Sequence, residues 1–425
     1  MSETLPERFA ARMGHLLGPD FPTDIALAVS GGGDSMAMLA LAHDWAHVFG
    51  VKLWVVTVDH GLRADSADEA AMVAKECALL GHPHETLRWQ WHGEGNLQDA
   101  ARRARLELID QWRGKIAHVL MAHTQDDVAE TFLMRLARGS GVEGLSAMSD
   151  MRSVRGQKAP FKVVRPLTRE ARADLRHHIN TLKVPYVDDP SNDDPRFDRV
   201  KARQALAGLG IEAATFTATA ERMQRASVAL SRRAADVARD CVTQEKCDYM
   251  PTGDLLIDRD RFAEVEADTQ LRILAAALQW VSSATYRPRA SALEALLDRA
   301  LSGGGGTLHG ARVMVTPSKI RVSREYAAVD GAQTPIGTTE VAWDTRWHVC
   351  STKPEGLTLR ALGPDGWKQA VDKPGDLPPH DAAITFPAVF AGDRLIAWHP
   401  IHTSPEFQVR FAPPAGQFIT FLESR

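Results

Sequence analysis

Short apolar runs alternate with amphipathic stretches along the first half of the chain. Ile25–Val29 is a continuous apolar run of strand length, and Ser35–Phe49 repeats apolar residues at helical spacing. The alternation then recurs. Lys52–Val58, His84–Trp89 and Ala117–Ala122 read as strands, and Ser66–Leu80, Asn96–Trp112 and Asp126–Ala137 as helices. Strands interleaved with helices predict an α/β fold with a doubly wound, mostly parallel sheet of Rossmann-like type. In such sheets ligands sit beyond the carboxyl ends of the strands. Three polar clusters fall there: Ser30–Ser35, Asp59–Arg63 and His123–Asp127.

The rhythm changes after about residue 208. Thr215–Val242 reads as one long helix, and Thr269–Val281 and Arg289–Leu301 as two more. Ser302–Gly306 opens a strand-rich stretch to about Arg324, Asp330–Pro335 reads as a linker, and the rest is rich in Pro, Trp and short β runs. The expected organisation is a catalytic domain over 1–208, a helical and β-rich domain over 209–330, and a small β-rich domain over 331–425, so that small α+β domains follow the helical segment.

Composition narrows the setting. The four cysteines, Cys77, Cys241, Cys247 and Cys350, never form C-x-x-C, which argues against a disulfide framework or zinc ribbon and fits a reducing cytoplasm. No window reaches the length of a membrane span, so no membrane partner is expected. A net charge of -4 gives no global sign of nucleic acid, although a local basic surface is compatible with it.

The stretch Ser30-Gly31-Gly32-Gly33-Asp34-Ser35 carries the first chemistry. A helix N-terminus leaves amide hydrogens unpaired, so a strand, a glycine turn and a helix make an anion site. The Walker lysine is absent, and Asp34 would repel a bare phosphate unless Mg2+ bridged the two. S-G-G-x-D-S is the PP-loop signature of ATP pyrophosphatases. On this reading Ser30, Gly31, Gly32, Gly33, Asp34 and Ser35 bind ATP, and Asp34 is the metal residue. Asp59 and His60 lie at the neighbouring strand end. His123, Asp127 and Glu130 form the third cluster, with Asp127 and Glu130 on one helical face, where they can receive Mg2+ or a substrate ammonium.

Beyond these motifs the chain resembles the tRNA(Ile)-lysidine synthetases. VSGGGDSMAML, VDHGLR, NLQDAARRARL, AHTQDDVAETFLMRLARGSGVEGLSAM, RPL and DDPSNDDPRFDR stand in that family's order, densely over about residues 22–203. A weaker match continues through YRPR and GGGGTLHGARVMV. The resemblance implies ATP-dependent ligation of free L-lysine to ring carbon 2 of the wobble cytidine of a CAU-anticodon tRNA(Ile), through an adenylated tRNA. It implies that Asp127 and Glu130 receive the lysine ammonium, with Arg102 and Arg105 near the reacting centre. His60 and His123 contact ATP or assist proton transfer. The chain departs from many relatives at Leu106 and Val200, where tyrosine and asparagine are common.

The tRNA surface is expected from charge. Met151–Arg172 holds seven Lys or Arg (Arg152, Arg155, Lys158, Lys162, Arg165, Arg169, Arg172) against Glu170. Arg165 from this segment, Arg199, Lys201 and Arg203 from a second patch, and Arg287 and Arg289 from a third are the named tRNA contacts. A homodimer is left open. Another PP-loop tRNA-modifying or amidating enzyme is the alternative, though a thiolase usually carries paired cysteines.

Overall fold

The protein is described here by a computed structural model covering residues 3–61, 65–91, 93, 97–157, 159–188, 196, 198–371, 373–399 and 406–424. Arg63, Lys158 and Asp189–Asn192 of the DDPSN motif lie outside these described residues. The chain divides into two compact units, Met1–Ser227 and Val228–Arg425.

The first unit holds α1 (Leu5–Leu17), β1 (Asp24–Ala28), α2 (Gly33–Phe49), β2 (Lys52–Asp59), α3 (Ser66–Leu79), β3 (His84–Arg88), α4 (Leu97–Trp112), β4 (His118–Met121), α5 (Gln125–Leu136), α6 (Val142–Leu145), β5 (Met151–Val154), β6 (Phe161–Val164), α7 (Arg172–Leu182) and α8 (Asp198–Leu209). Its sheet runs β3-β2-β1-β4-β6-β5, parallel except for the antiparallel edge strand β5. One face of β1 packs Ile25 and Leu27 with Met36, Leu39 and Leu41 of α2 and Leu175 and Ile179 of α7. On the other, Ala26 meets Val119, Val163 and Ile109. The chain winds outward from β1 to β3, then returns to place β4 on the opposite side of β1. That reversal opens a crevice at the carboxyl ends of β1 and β4, where Ala28 is level with Met121.

Of the segment Met151–Arg172, expected to be a basic surface, Arg152, Arg155, Lys162 and Arg169 are exposed, while its apolar side chains turn inward. Phe161, Val163, Val164 and Leu167 are buried, and Glu170 takes the Arg8 guanidinium of α1 at 2.7 Å.

The helix α9 (Ala213–Cys241) contributes residues to both units. The second unit continues with β7 (Val242–Cys247), β8 (Met250–Asp258), α10 (Arg259–Ala263), α11 (Ala267–Ser282), α12 (Ala290–Leu301), β9 (Gly306–Leu308), β10 (Ala311–Val315) and β11 (Lys319–Arg324). These strands form a sheet in the order β7-β8-β11-β10-β9, antiparallel throughout, whose face packs Ile257, Val313 and Val322 among Leu274, Leu278 and Trp280 of α11 and Leu296 of α12. Beyond it come β12 (Thr334–Pro335), β13 (Val341–Trp343), β14 (Trp347–Ser351), β15 (Leu357–Ala361), β16 (Pro387–Ala391), β17 (Arg394–Trp398) and β18 (Phe407–Phe411). They build two small antiparallel sheets, β12-β15-β16-β17 and β13-β14-β18, around Trp347, Val349, Leu359 and Val389. Part of the expected linker, Thr334–Pro335, is thus a paired strand. Among the described residues no helix is long and apolar enough to cross a membrane.

Candidate active site

The glycine turn leaves β1 and enters α2 with Gly32 as N-cap. Gly31 sits at φ +86, a left-handed conformation that strains any side chain, while a Cβ on Gly33 would lie 2.4 Å from Nε of Arg176. Gly32 differs: its φ of -70 suits any residue, and a Cβ there would meet nothing nearer than 3.7 Å. The fold itself does not demand that middle glycine. Ser35 locks the turn, its Oγ donating to the Gly32 carbonyl at 2.8 Å and accepting from the Ser30 amide at 3.1 Å. Ser30 Oγ lies 3.3 Å from Ser35 Oγ.

Across the crevice, Thr124 caps α5. Asp127, in its first turn, accepts at Oδ2 from the Thr124 amide at 2.8 Å and the Thr124 hydroxyl at 3.0 Å. This reciprocal cap leaves Oδ1 of Asp127 for the site. Glu130 follows on the same face and is 1 % exposed. Asp126 faces elsewhere: its Oδ2 accepts the Arg172 amide at 2.8 Å and so caps α7.

Arg172 is the residue that charge counting misplaced. Its Nε donates to Asp34 Oδ2 at 3.0 Å and its Nη2 to Asp127 Oδ1 at 3.3 Å, and its Nη1 lies 3.6 Å from Glu130 Oε1. It joins three carboxylates from two helices, α2 and α5. Arg203, expected at the tRNA, also turns inward, donating from Nε to Glu130 Oε1 at 2.9 Å. One turn along α7, Arg176 lies over the Tyr186 ring at 4.4 Å, pairs with Asp188 at 2.6 Å and borders Gly33.

The cluster is unevenly satisfied. Asp34 Oδ1, Glu130 Oε2 and His123 Nδ1 are buried with no hydrogen-bond partner among the described residues, as are both ring nitrogens of His60. Burial pushes the Asp34 carboxyl above its ordinary value despite the pull of Arg172, with Asp127 adding to the rise. Burial acts the same way on Asp127, but Arg172, His123, Arg199 and the Thr124 amide outweigh it and hold that carboxyl low. Burial holds His60 down at about 4, helped by Arg105, and His123 at about 3, against the pull of Asp127. Both imidazoles are therefore neutral near pH 7. His60 also meets Trp89 edge-on at 5.5 Å. The Asp59 carboxylate closes its own turn, accepting from the Gly61 amide at 2.8 Å.

The remaining expected residues are spread out. Arg102 and Arg105 are solvent-accessible on α4, and Arg105 is near enough to the site to depress both His60 and His123. Arg199 on α8 is near enough to depress both His123 and Asp127, whereas Lys201 is exposed beside Asp198. Arg165 is only 9 % exposed, its Nη1 on the Ser149 carbonyl, and burial pulls it down to about 10. Arg287 and Arg289 are exposed in the second unit.

The donor set suits a hard cation brought by phosphate. Asp34 offers a buried, unpaired carboxylate oxygen beside helix amides, and Mg2+ typically takes one or two carboxylates and completes its shell with phosphate and water. Among the described residues no group of three or more His, Cys, Asp or Glu side chains is arranged to hold a metal unaided.

Comparison with known proteins agrees with this architecture. The model of the PP-loop domain matches residues 5–209. The tRNA(Ile)-lysidine synthase of Ruegeria pomeroyi is 40 % identical over 382 residues, covering 88 % of each chain. The enzyme of that name from Bradyrhizobium sp. BTAi1 is 37 % identical, covering 70 % of this chain and 89 % of its own, and that of Wolbachia pipientis wMel is 31 % identical, covering 80 % and 79 %. With the glycine turn, the two acidic clusters and this extended identity in one chain, the protein belongs to the tRNA(Ile)-lysidine synthase family.

Proposed function

We propose that this chain is an ATP-dependent ligase that joins L-lysine to ring carbon 2 of the wobble cytidine in a CAU-anticodon tRNA(Ile), forming lysidine and releasing AMP and diphosphate. The observation that carries the reading is the pair of buried, unpaired carboxylate oxygens, Asp34 Oδ1 at the glycine turn and Glu130 Oε2 across the crevice. One lies where phosphate and a cation belong, the other where an ammonium does.

The amides and hydroxyls of Ser30–Ser35 cradle the phosphates of ATP, and the absence of a Cβ at Gly32 leaves room for their approach. Mg2+ at Asp34 would neutralise charge developing on the phosphates. In the first half-reaction the oxygen on cytidine carbon 2 attacks the α-phosphorus, and the bond to diphosphate breaks. That turns a poor leaving group into a good one. In the second, the lysine ε-nitrogen attacks carbon 2 and AMP departs. Asp127 and Glu130 position the ammonium, which must lose a proton before attack; the neutral, unpaired Nδ1 of His123 can accept a hydrogen bond from it, while burial leaves this imidazole a weak base for the proton itself. His60, also neutral, contacts ATP or shares that proton step, Arg102 and Arg105 flank the reacting centre, and Asp59 shapes the turn that carries His60. Residues 1–208 supply this chemistry in the cytoplasm. Residues 209–330 and 331–425 recognise tRNA, with Arg287 and Arg289 exposed for phosphate.

The test is labelled-lysine incorporation into a CAU-anticodon tRNA(Ile) transcript, with AMP counted. One AMP per lysine, and none with the CAU-anticodon methionine tRNA, is expected. Glu130→Gln should raise the lysine KM by about 2–5 kcal/mol equivalent, with ATP binding little changed. Transfer of sulfur or ammonia in place of lysine would overturn the reading.

A further inference from the structure

Arg172 has more contacts than a tRNA-facing arginine needs and an unusual place for a lysine or ATP ligand. It is the first residue of α7, and its own amide is pinned by Asp126 at 2.8 Å. The direction of its side chain is therefore set from both ends. Its guanidinium takes one oxygen each from Asp34, Asp127 and Glu130, at 3.0, 3.3 and 3.6 Å, and leaves Asp34 Oδ1 and Glu130 Oε2 open. A planar fork with five donors can span three acceptors in this way, and a point charge cannot.

We propose that Arg172 is a built-in counter-ion with two tasks. It keeps the acidic cluster from collecting a divalent cation before nucleotide arrives, and it couples the phosphate side of the site to the ammonium side. Three carboxylates gathered in one partly desolvated crevice attract cations strongly. With the guanidinium seated, and with Arg203 on Glu130 Oε1 at 2.9 Å, the net charge falls, both oxygens of Asp127 are taken and only Asp34 Oδ1 and Glu130 Oε2 stay open, so a metal ion gains full affinity only when phosphate brings further oxygens. Because the same guanidinium holds Asp34 and Glu130, a ligand drawing on either carboxylate shifts the hold on the other, and the two affinities become linked. The coupling task rests on the lysine reading above; the metal task does not.

The experiment measures Mn2+ binding to the full chain by the loss of the free-ion paramagnetic resonance signal, without nucleotide. Arg172→Gln should bind Mn2+ at least about tenfold more tightly than the wild type, with a preserved thermal transition. Equal affinity overturns the proposal. Should that variant unfold, Arg172→Lys keeps the charge but cannot reach three carboxylates, and it should tighten Mn2+ binding about threefold; unchanged binding in it is equally decisive. Calorimetry of lysine with and without α,β-methylene ATP then reads the coupling. The ratio of the two affinities should move toward one in Arg172→Gln, and an unchanged ratio removes the second task. A wild type that ignores lysine but follows the Mn2+ expectation would refute the ligase reading and leave the counter-ion role standing.

Discussion

Two of the arginine–carboxylate clusters among the described residues, one in each unit, are finished to different standards. In the second unit Asp344 takes Arg324 at 3.0 Å and Arg346 at 2.9 Å, Arg346 also reaches the Gly253 carbonyl at 3.2 Å, and Arg321 joins Glu245 and Asp254. Among the described residues, none of these six side chains leaves a buried nitrogen or oxygen unpaired. In the first unit Arg172 gathers three carboxylates, yet Asp34 Oδ1, Glu130 Oε2 and the neighbouring imidazole nitrogens are unpaired. A buried polar group without a partner costs about 1–3 kcal/mol. The complete cluster holds strands together, and the incomplete one turns unpaired oxygens toward the crevice. Ionic residues alone do not mark a site; open valences among them do.

The sharpest way to test this contrast is to damage the complete cluster. Asp344→Ala strands two arginines whose side chains are 11 % and 3 % exposed, so chemical unfolding should show a loss of about 3–5 kcal/mol, while the folded fraction binds ATP normally. Asp34→Asn makes the opposite demand. Diphosphate release should fall by about 100-fold or more, the scale of losing one preorganised charge, while the unfolding midpoint holds or rises. A large loss of stability in Asp34→Asn would erase the distinction between the clusters.

The smallest effect separates titration from ion pairing. His399, in the second unit, donates from its ring to the Pro251 carbonyl at 2.7 Å and packs against Trp347, and burial lowers its pKa to about 4. The folded value lies below the ordinary 6.5, so the unfolded chain binds more protons between the two. Stability from this group is full above pH 6.5 and is lost as pH falls toward 4, by up to about 3 kcal/mol. His399→Gln keeps a donor and removes the titration. The acid-side fall measured from wild type minus variant should show that window; identical pH profiles would discard it.

What the sequence reveals is mostly what is local in it. The glycine turn and the Thr124–Glu130 segment each fit within seven residues, and apolar alternation locates β1 to β4 and the long helix α9 closely. Arg172 is different. Its partners stand 138 and 45 positions away, and a count of charges along Met151–Arg172 cannot tell an arginine facing solvent from one facing inward. β5 and β6 escape notice because each has four residues and carries Arg or Lys between its apolar positions. The β7–β8 hairpin is equally silent. Its two-residue turn is Asp248-Tyr249, at φ 47 and 66, where glycine or asparagine would have signalled a bend.

Asp127 binds the helix cap to Thr124 with one oxygen and faces Arg172 with the other. In a genetic screen these two duties would be inherited together. A substitution there removes the cap and the charge in one step, so selection has few intermediate alleles at this position through which to adjust substrate affinity. Glu130 lies one turn further along, beyond the cap, and carries no such burden. If these carboxylates receive the amine as proposed, drift in amine preference, in nature or by design, is more accessible at Glu130 and at the arginines around it than at its capped neighbour.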